Sequence, residues 1–108
     1  AFKNVVVAGV LIYPSSCKAV SDDCFFNATI DTIDIPASVT YLSGMCFYSS
    51  KTKNLIFRSK TPPKLYGYQE FGGNLRMGKV YVPDESIELY RTKLGNWIPL
   101  APLSEYQG

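Results

Sequence analysis

The stretch IDIPASVTYLSGMCFYSSKTKNLIF, residues 33–57, has two apolar segments of similar pattern on either side of a Cys46-Phe47 pair. The same pair occurs earlier in the chain, as Cys24-Phe25. Phenylalanines recur along the chain at a nearly constant spacing, at Phe2, Phe25, Phe47 and Phe71. A recurrence of roughly 20 to 50 residues is the sequence signature of a fold built from stacked coils.

Each unit has two apolar residues two positions apart, and in three of the four units a proline follows, at Pro14, Pro36 and Pro83. Ile33 and Ile35 precede Pro36. When the sequence is aligned with itself at the spacing between Phe25 and Phe47, Leu55 and Phe57 fall on these two isoleucines. Alternation predicts a short strand with one buried face, and proline ends it because proline has no amide donor. One strand per unit implies parallel strands paired in sequence order. We predict these strands at residues 11–13, 33–35, 55–57 and 80–82.

A coil of this length cannot bury its own apolar face, so the coils must stack and the last coil must be covered. The segment from Asp84 to Leu94 is predicted to be a covering helix with Asp84 as its N-cap. Three apolar residues share one face of this helix: Ile87, Tyr90 and Leu94. Gly95 is predicted to end the helix, and Trp97 is expected to pack over the same end of the core.

The composition is that of a folded, globular chain. Of the 108 residues, 46% are apolar and 19% are charged, and the length suffices for one small domain. The formal net charge is +2 with no block of like charges, so neither nucleic acid nor an anionic membrane is indicated as a partner. Because the sequence opens on Ala1 without a methionine, we expect a mature or excised part of a longer protein.

Three cysteines, Cys17, Cys24 and Cys46, raise the question of thiol chemistry. When the sequence is aligned with itself at the repeat spacing, Cys17 falls on Val39 and Cys24 falls on Cys46. We therefore expect all three to be reduced and to serve as small, buried apolar side chains. A disulfide between Cys24 and Cys46 is the alternative.

The sequence holds no pattern typical of a catalytic or metal site. It has no histidine, which removes the Ser-His and Cys-His nucleophile systems, and the cysteine spacing fits no zinc site. Neighbouring acids such as Asp22-Asp23 and Asp84-Glu85 are typical of solvated turns and helix starts. We predict a non-enzymatic protein without a cofactor, and an enzyme that uses these carboxylates is the remaining alternative.

The central stretch resembles the repeat of the BspA-like leucine-rich repeat family of bacterial surface antigens. The matching positions are Ile35, Pro36, Ser38, Val39, Leu42, Gly44 and Phe47, and Cys24 and Cys46 stand where that family usually has alanine. The segments TPPKLYGYQEF and KVYVPDESIELYRTKLGNW resemble its closing part, in which a Tyr-Val-Pro strand leads into a short helix and a tryptophan.

This resemblance implies an α/β repeat solenoid, a right-handed leucine-rich-repeat coil with one short parallel strand in each repeat and a C-terminal helical cap. Each repeat would have about 22–25 residues, within the range of leucine-rich repeats. The whole chain would form one domain. The expected repeats are residues 1–24, 25–46, 47–70 and 71–83, followed by a cap at 84–108.

The resemblance also implies a function and a location. It points to a secreted or cell-surface module of a bacterium that binds host or bacterial surface proteins or mediates adhesion. The alternative is a structural spacer or capping domain that has no ligand of its own. Nothing in the resemblance implies binding to nucleic acid or insertion into a membrane.

Residues between the buried positions of each strand point to the opposite face of the sheet, where solenoids bind their partners. Five residues of this face are predicted to contact a ligand: Ile12, Asp34, Ile56, Arg58 and Tyr81. Tyrosine and arginine often anchor interfaces, and we expect the apolar members to be exposed because that side has no core. Alternatively, these residues simply suit a strand or pack on sequence that precedes Ala1.

Overall fold

Four long strands form the predicted parallel ladder. The computed structural model describes residues 2–65 and 69–107, so part of the closing segment noted above, residues 66–68, lies outside the described residues. The strands are β1 (Val6–Ile12), β3 (Thr29–Ile35), β5 (Lys51–Phe57) and β7 (Arg76–Val82). They pair in parallel in this order, which confirms the prediction. Each strand has seven residues and is longer than predicted, whereas Tyr13 lies just beyond β1.

A second, smaller sheet joins the coils on another side. Its strands are β2 (Ala19–Val20), β4 (Tyr41–Leu42) and β6 (Lys64–Leu65), again parallel and in sequence order. These strands have two residues each, too few to show an alternating pattern, and the sequence did not predict them. Backbone hydrogen bonds therefore join the coils in both sheets, and further ones join them at the turns that carry the phenylalanines.

The register of the long strands stacks equivalent side chains in columns. Leu11 pairs with Ile33, Ile33 with Leu55, and Leu55 with Val80. The last three of these residues are fully buried, and Leu11 packs against them from the first coil. The columns thus join into one core that runs the length of the stack.

The phenylalanine column forms a continuous aromatic stack inside that core. Ring centroids lie 5.4 Å apart for Phe2 and Phe25, 5.3 Å for Phe25 and Phe47, and 5.1 Å for Phe47 and Phe71, with nearly parallel planes. The backbone is held in the same register, because the amide of Phe25 donates to the carbonyl of Cys46 at 2.7 Å. Parallel rings at this separation are offset-stacked, a favourable geometry for aromatic pairs.

The C-terminal cap has the predicted helical form. A 3₁₀ helix, Asp84–Ser86, leads into α1, Ile87–Leu94, which buries Tyr90 and Leu94. The Tyr90 hydroxyl donates to the carbonyl of Ser59 at 2.5 Å, and its ring lies 5.8 Å from that of Phe57. Gly95 follows α1 with a φ of 99°, a backbone conformation that favours glycine, and ends the helix as predicted.

Two details of the predicted cap are wrong. Asp84 is not an N-cap: it lies inside the 3₁₀ helix, and its Oδ1 accepts a hydrogen bond from the amide of Ser104 at 3.0 Å. Trp97 is 61% exposed, and Ile98 is the buried residue in that segment. The chain then forms β8, Leu100–Pro102, which pairs in parallel with β7 and extends the larger sheet to five strands.

Replacing Phe47 by alanine should destabilise the domain by roughly 3–5 kcal/mol, because it opens a cavity between two stacked rings in the middle of the core. Chemical denaturation followed by circular dichroism measures this loss. Leu89→Ala on the exposed side of α1 is the matched control, since Leu89 is 58% exposed, and it should change the stability by about 0.5 kcal/mol or less. Equal effects of the two substitutions would contradict the stacked core.

Candidate interaction surface

The outer face of the larger sheet carries exposed apolar residues along β1. Val6 is 76% exposed, Val10 is 55% exposed and Ile12 is 72% exposed. They point away from the core, whereas Val7 and Leu11 on the same strand pack against it. Ile12 is therefore accessible, as the sequence predicted.

Two other predicted residues, Asp34 and Arg58, are bonded to each other. The Arg58 guanidinium donates from Nε to Asp34 Oδ1 at 2.9 Å and from Nη2 to Asp34 Oδ2 at 2.8 Å. These hydrogen bonds raise the pKa of Arg58. The side chain of Asp34 is 17% exposed and that of Arg58 is 43% exposed, so the pair lies at the surface with the guanidinium outermost. A bidentate ion pair of this kind holds both side chains in one orientation.

The expected exposure of Ile56 and Tyr81 is wrong. Ile56 is 1% exposed and Tyr81 is 8% exposed, because the end of the chain turns back over the outer face of the sheet. The two residues pack with Ala101 of β8 and with Leu103 and Tyr106. The rings of Tyr81 and Tyr106 lie 5.1 Å apart. This small second core accounts for the apolar character of both residues.

The covering segment, residues 103–107, is called the C-terminal tail below. It begins with a 3₁₀ helix, Leu103–Glu105, and the amide of Tyr106 donates to the carbonyl of Leu103 at 3.0 Å. Asp84 contacts the start of the tail through the hydrogen bond from the amide of Ser104. Hydrogen bonding from the side chain of Ser104, and then from its amide, lowers the pKa of Asp84. The residue that the sequence assigned to the helix cap therefore holds the tail on the sheet.

The predicted surface thus has two parts. Ile12 and the Asp34–Arg58 pair are accessible on the same face. Ile56 and Tyr81 lie beneath the C-terminal tail.

A family model for the BspA-type leucine-rich repeat region matches residues 1–93 with six copies. The chain belongs to the BspA-type leucine-rich repeat family. Comparison with curated proteins and with solved structures gave no significant match.

The cysteines of this BspA-type domain are free thiols of differing accessibility. Cys24 and Cys46 are buried as expected, whereas Cys17 is only partly buried. Burial raises the pKa of the Cys46 thiol, and the charge of Glu70 adds to this effect. A raised pKa lowers the fraction of reactive thiolate at neutral pH, so Cys46 is placed for packing and not for nucleophilic chemistry.

Side chains that could bind a metal are scattered in the described part of the chain. Among residues 2–65 and 69–107, no three cysteine, aspartate or glutamate side chains are grouped so as to hold an ion. None of the helices in that part of the chain has the length and apolar character needed to cross a membrane.

Thiol labelling tests the packing of the cysteines. In the native BspA-type domain we expect Cys17 to react with a maleimide first and the two buried thiols to react much more slowly, because both are inaccessible and the raised pKa of Cys46 also lowers its thiolate fraction. Labelling in denaturant should modify all three and serves as the control. A Cys24–Cys46 bond in freshly folded protein, detected by non-reducing mass spectrometry, would contradict this packing.

Acid should loosen the C-terminal tail. The pKa of Asp84 is lower in the folded state, so its stabilising contribution is present above the unfolded value of about 3.9 and is lost as the pH falls through the folded value. Hydrogen exchange at the amide of Ser104 measures the attachment. Asp84→Ala should accelerate this exchange at pH 6 and abolish its acid-dependent step, whereas Glu105→Gln should leave both unchanged. Identical protection in wild type and Asp84→Ala would show that the bond does not hold the tail.

Proposed function

We propose that this domain is a non-enzymatic module, secreted by a bacterium or displayed on its surface, that binds host or bacterial surface proteins or mediates adhesion. Its family supports a repeat module of the protein-binding kind. The observation that carries the proposal is the row of exposed apolar residues on β1, since grouped apolar side chains on a soluble surface are typical of binding sites. Burial of Cys24 and Cys46 and the lack of histidine support a role without catalysis.

The proposed contact surface consists of Ile12 with Val10 as its apolar part and the Asp34–Arg58 pair as its polar part. The guanidinium of Arg58 retains exposed area beyond its bonds to Asp34 and offers a charged, planar contact. Ile56 and Tyr81, the other two proposed residues, reach a ligand only when the C-terminal tail leaves the sheet. In the tail-bound state they pack against Leu103 and Tyr106.

The alternative function is that of a structural spacer or capping domain of a larger surface protein. One observation favours it: α1, β8 and the C-terminal tail together cover the last coil and two apolar residues of the outer face. Such closure serves stability alone. The two functions differ in whether the exposed residues of β1 are needed for capture of another protein.

The test compares capture by variants that differ only at the surface. The immobilised domain is incubated with extracellular-matrix proteins and with bacterial surface proteins, and retained proteins are identified by mass spectrometry. Val10→Ser with Ile12→Ser should weaken capture by on the order of 1–4 kcal/mol, because it removes the apolar centre of the contact. Leu89→Ser, at a comparably exposed leucine of α1, is the control.

A protein retained by wild type and by the Leu89 variant, but lost with the β1 variant, supports the binding function. Equal retention by all three would place the contact on another surface, and no retention by any of the three supports the spacer. Unchanged melting temperatures show that the variants are folded, as expected for substitutions outside the core columns.

A further inference from the structure

A groove crosses the outer face of the larger sheet near the N-terminal ends of its long strands. Its volume is about 590 Å³, and it runs between two rows of residues. The first row contains Val6, Thr29, Lys51 and Arg76, and the second contains Asp31 and Lys53. All six are exposed. They lie at the opposite ends of the strands from Ile12 and Arg58.

Positive charge is concentrated over β5 and β7. Lys51 and Arg76 are paired residues in the parallel register, and Lys53 lies two residues further along β5. Within the described part of the chain, none of the three takes part in an ion pair, and Asp31 is the single carboxylate that lines the groove. Like charges on directly neighbouring strand positions are destabilising. An anion bound between them would relieve that repulsion.

The close approach of β7 to β5 fixes the shape of the groove at its positively charged end. Gly78 lines this end, and a Cβ atom there would lie 2.4 Å from the carbonyl oxygen of Lys53. No larger residue fits this approach of β7 to β5, so no side chain fills the groove beside Arg76. At the other end, on β1, the exposed side chain of Val6 provides an aliphatic wall. The groove is therefore cationic at one end and apolar at the other.

We propose that this groove binds an extended acidic segment of a partner protein, with carboxylates on Lys51, Lys53 and Arg76 and an aliphatic side chain on Val6. Four strands about 4.8 Å apart span about 14 Å, which an extended peptide covers with about five residues. Alternate residues of such a peptide face the sheet, so acidic and aliphatic residues on one face match the two ends. A sulfated polysaccharide would match only the cationic end. The assignment rests on the proposed protein-binding role but uses residues apart from Ile12, Asp34 and Arg58.

Fluorescence anisotropy with defined peptides tests the groove. The probe is a fluorescein-labelled peptide whose alternate, sheet-facing residues are glutamate, glutamate and leucine, with serine between them, and the comparison peptide has glutamine in place of glutamate. Lys51→Thr, Lys53→Thr and Arg76→Thr together should raise the Kd of the acidic peptide about eightfold, the product of roughly twofold for each of the three exposed charge pairs. Threonine is suitable because Thr29 already occupies the first row.

A matched variant controls for net charge. Lys18→Thr, Lys64→Thr and Lys93→Gln remove the same charge from other exposed positions and should change the Kd by less than twofold. A charge-reversed variant, Lys51→Glu with Lys53→Glu and Arg76→Glu, should bind a form of the probe peptide that has lysine in place of glutamate, which wild type does not bind. This gain of binding cannot result from misfolding.

Four results would overturn the proposal. They are no binding of the acidic peptide by wild type, equal binding of the glutamine peptide, equal loss in the control variant, and binding of heparin without binding of the peptide. The last result would assign the groove to a sulfated polysaccharide. None of these results bears on capture through Val10 and Ile12, so failure here and failure of the proposed function are distinguishable.

Discussion

Parallel hydrogen bonding between successive coils is the constraint on which the rest of the structure depends. Because paired strands lie about 4.8 Å apart, each side chain lies beside the equivalent residue of the next coil and must pack against it. Phe25 can therefore be accommodated only because Phe2 and Phe47 offer nearly parallel rings at 5.4 and 5.3 Å. A substitution in one coil alters the packing of both neighbouring coils, so the same residue types recur in each coil.

The same register places equivalent residues of successive coils side by side on the outer face, where this arrangement is less favourable than in the core. It places Lys51 beside Arg76, and it aligns Ile12, Asp34, Ile56 and Tyr81 in one row. A row that contains apolar residues must be covered or remain available to a partner. At the C-terminal end, Leu103 and Tyr106 cover it. At β1, Ile12 remains exposed.

Contacts that recur in every coil could be predicted from the sequence, whereas contacts made only once in the chain could not. The burial of Ile33 and Phe47 could be predicted because their neighbours recur at a fixed spacing. The burial of Ile56 and Tyr81 could not, because it depends on the chain turning back after Pro102, which no repeat specifies. Asp84 shows the same limit: its position before a helix suggested a cap, but its partner is the distant Ser104. Similarly, Lys51 and Arg76 form one charged site only once the register is known.

The two ends of the stack consequently differ in what they can do. The core of the last coil is covered by Tyr90 and Leu94, and the final three residues of its strand, Val80–Val82, pair with β8. β1 forms the other edge of the sheet, and none of its seven residues is charged. Soluble proteins usually protect an edge strand with charged residues, proline or a covering segment, because its free backbone groups and apolar side chains invite pairing. Val6 at one end of β1 borders the cationic groove, and Ile12 at the other end borders the Asp34–Arg58 pair. The least protected strand of the domain therefore supplies the apolar part of both proposed contact sites, Val6 to the groove and Ile12 to the surface beside Asp34.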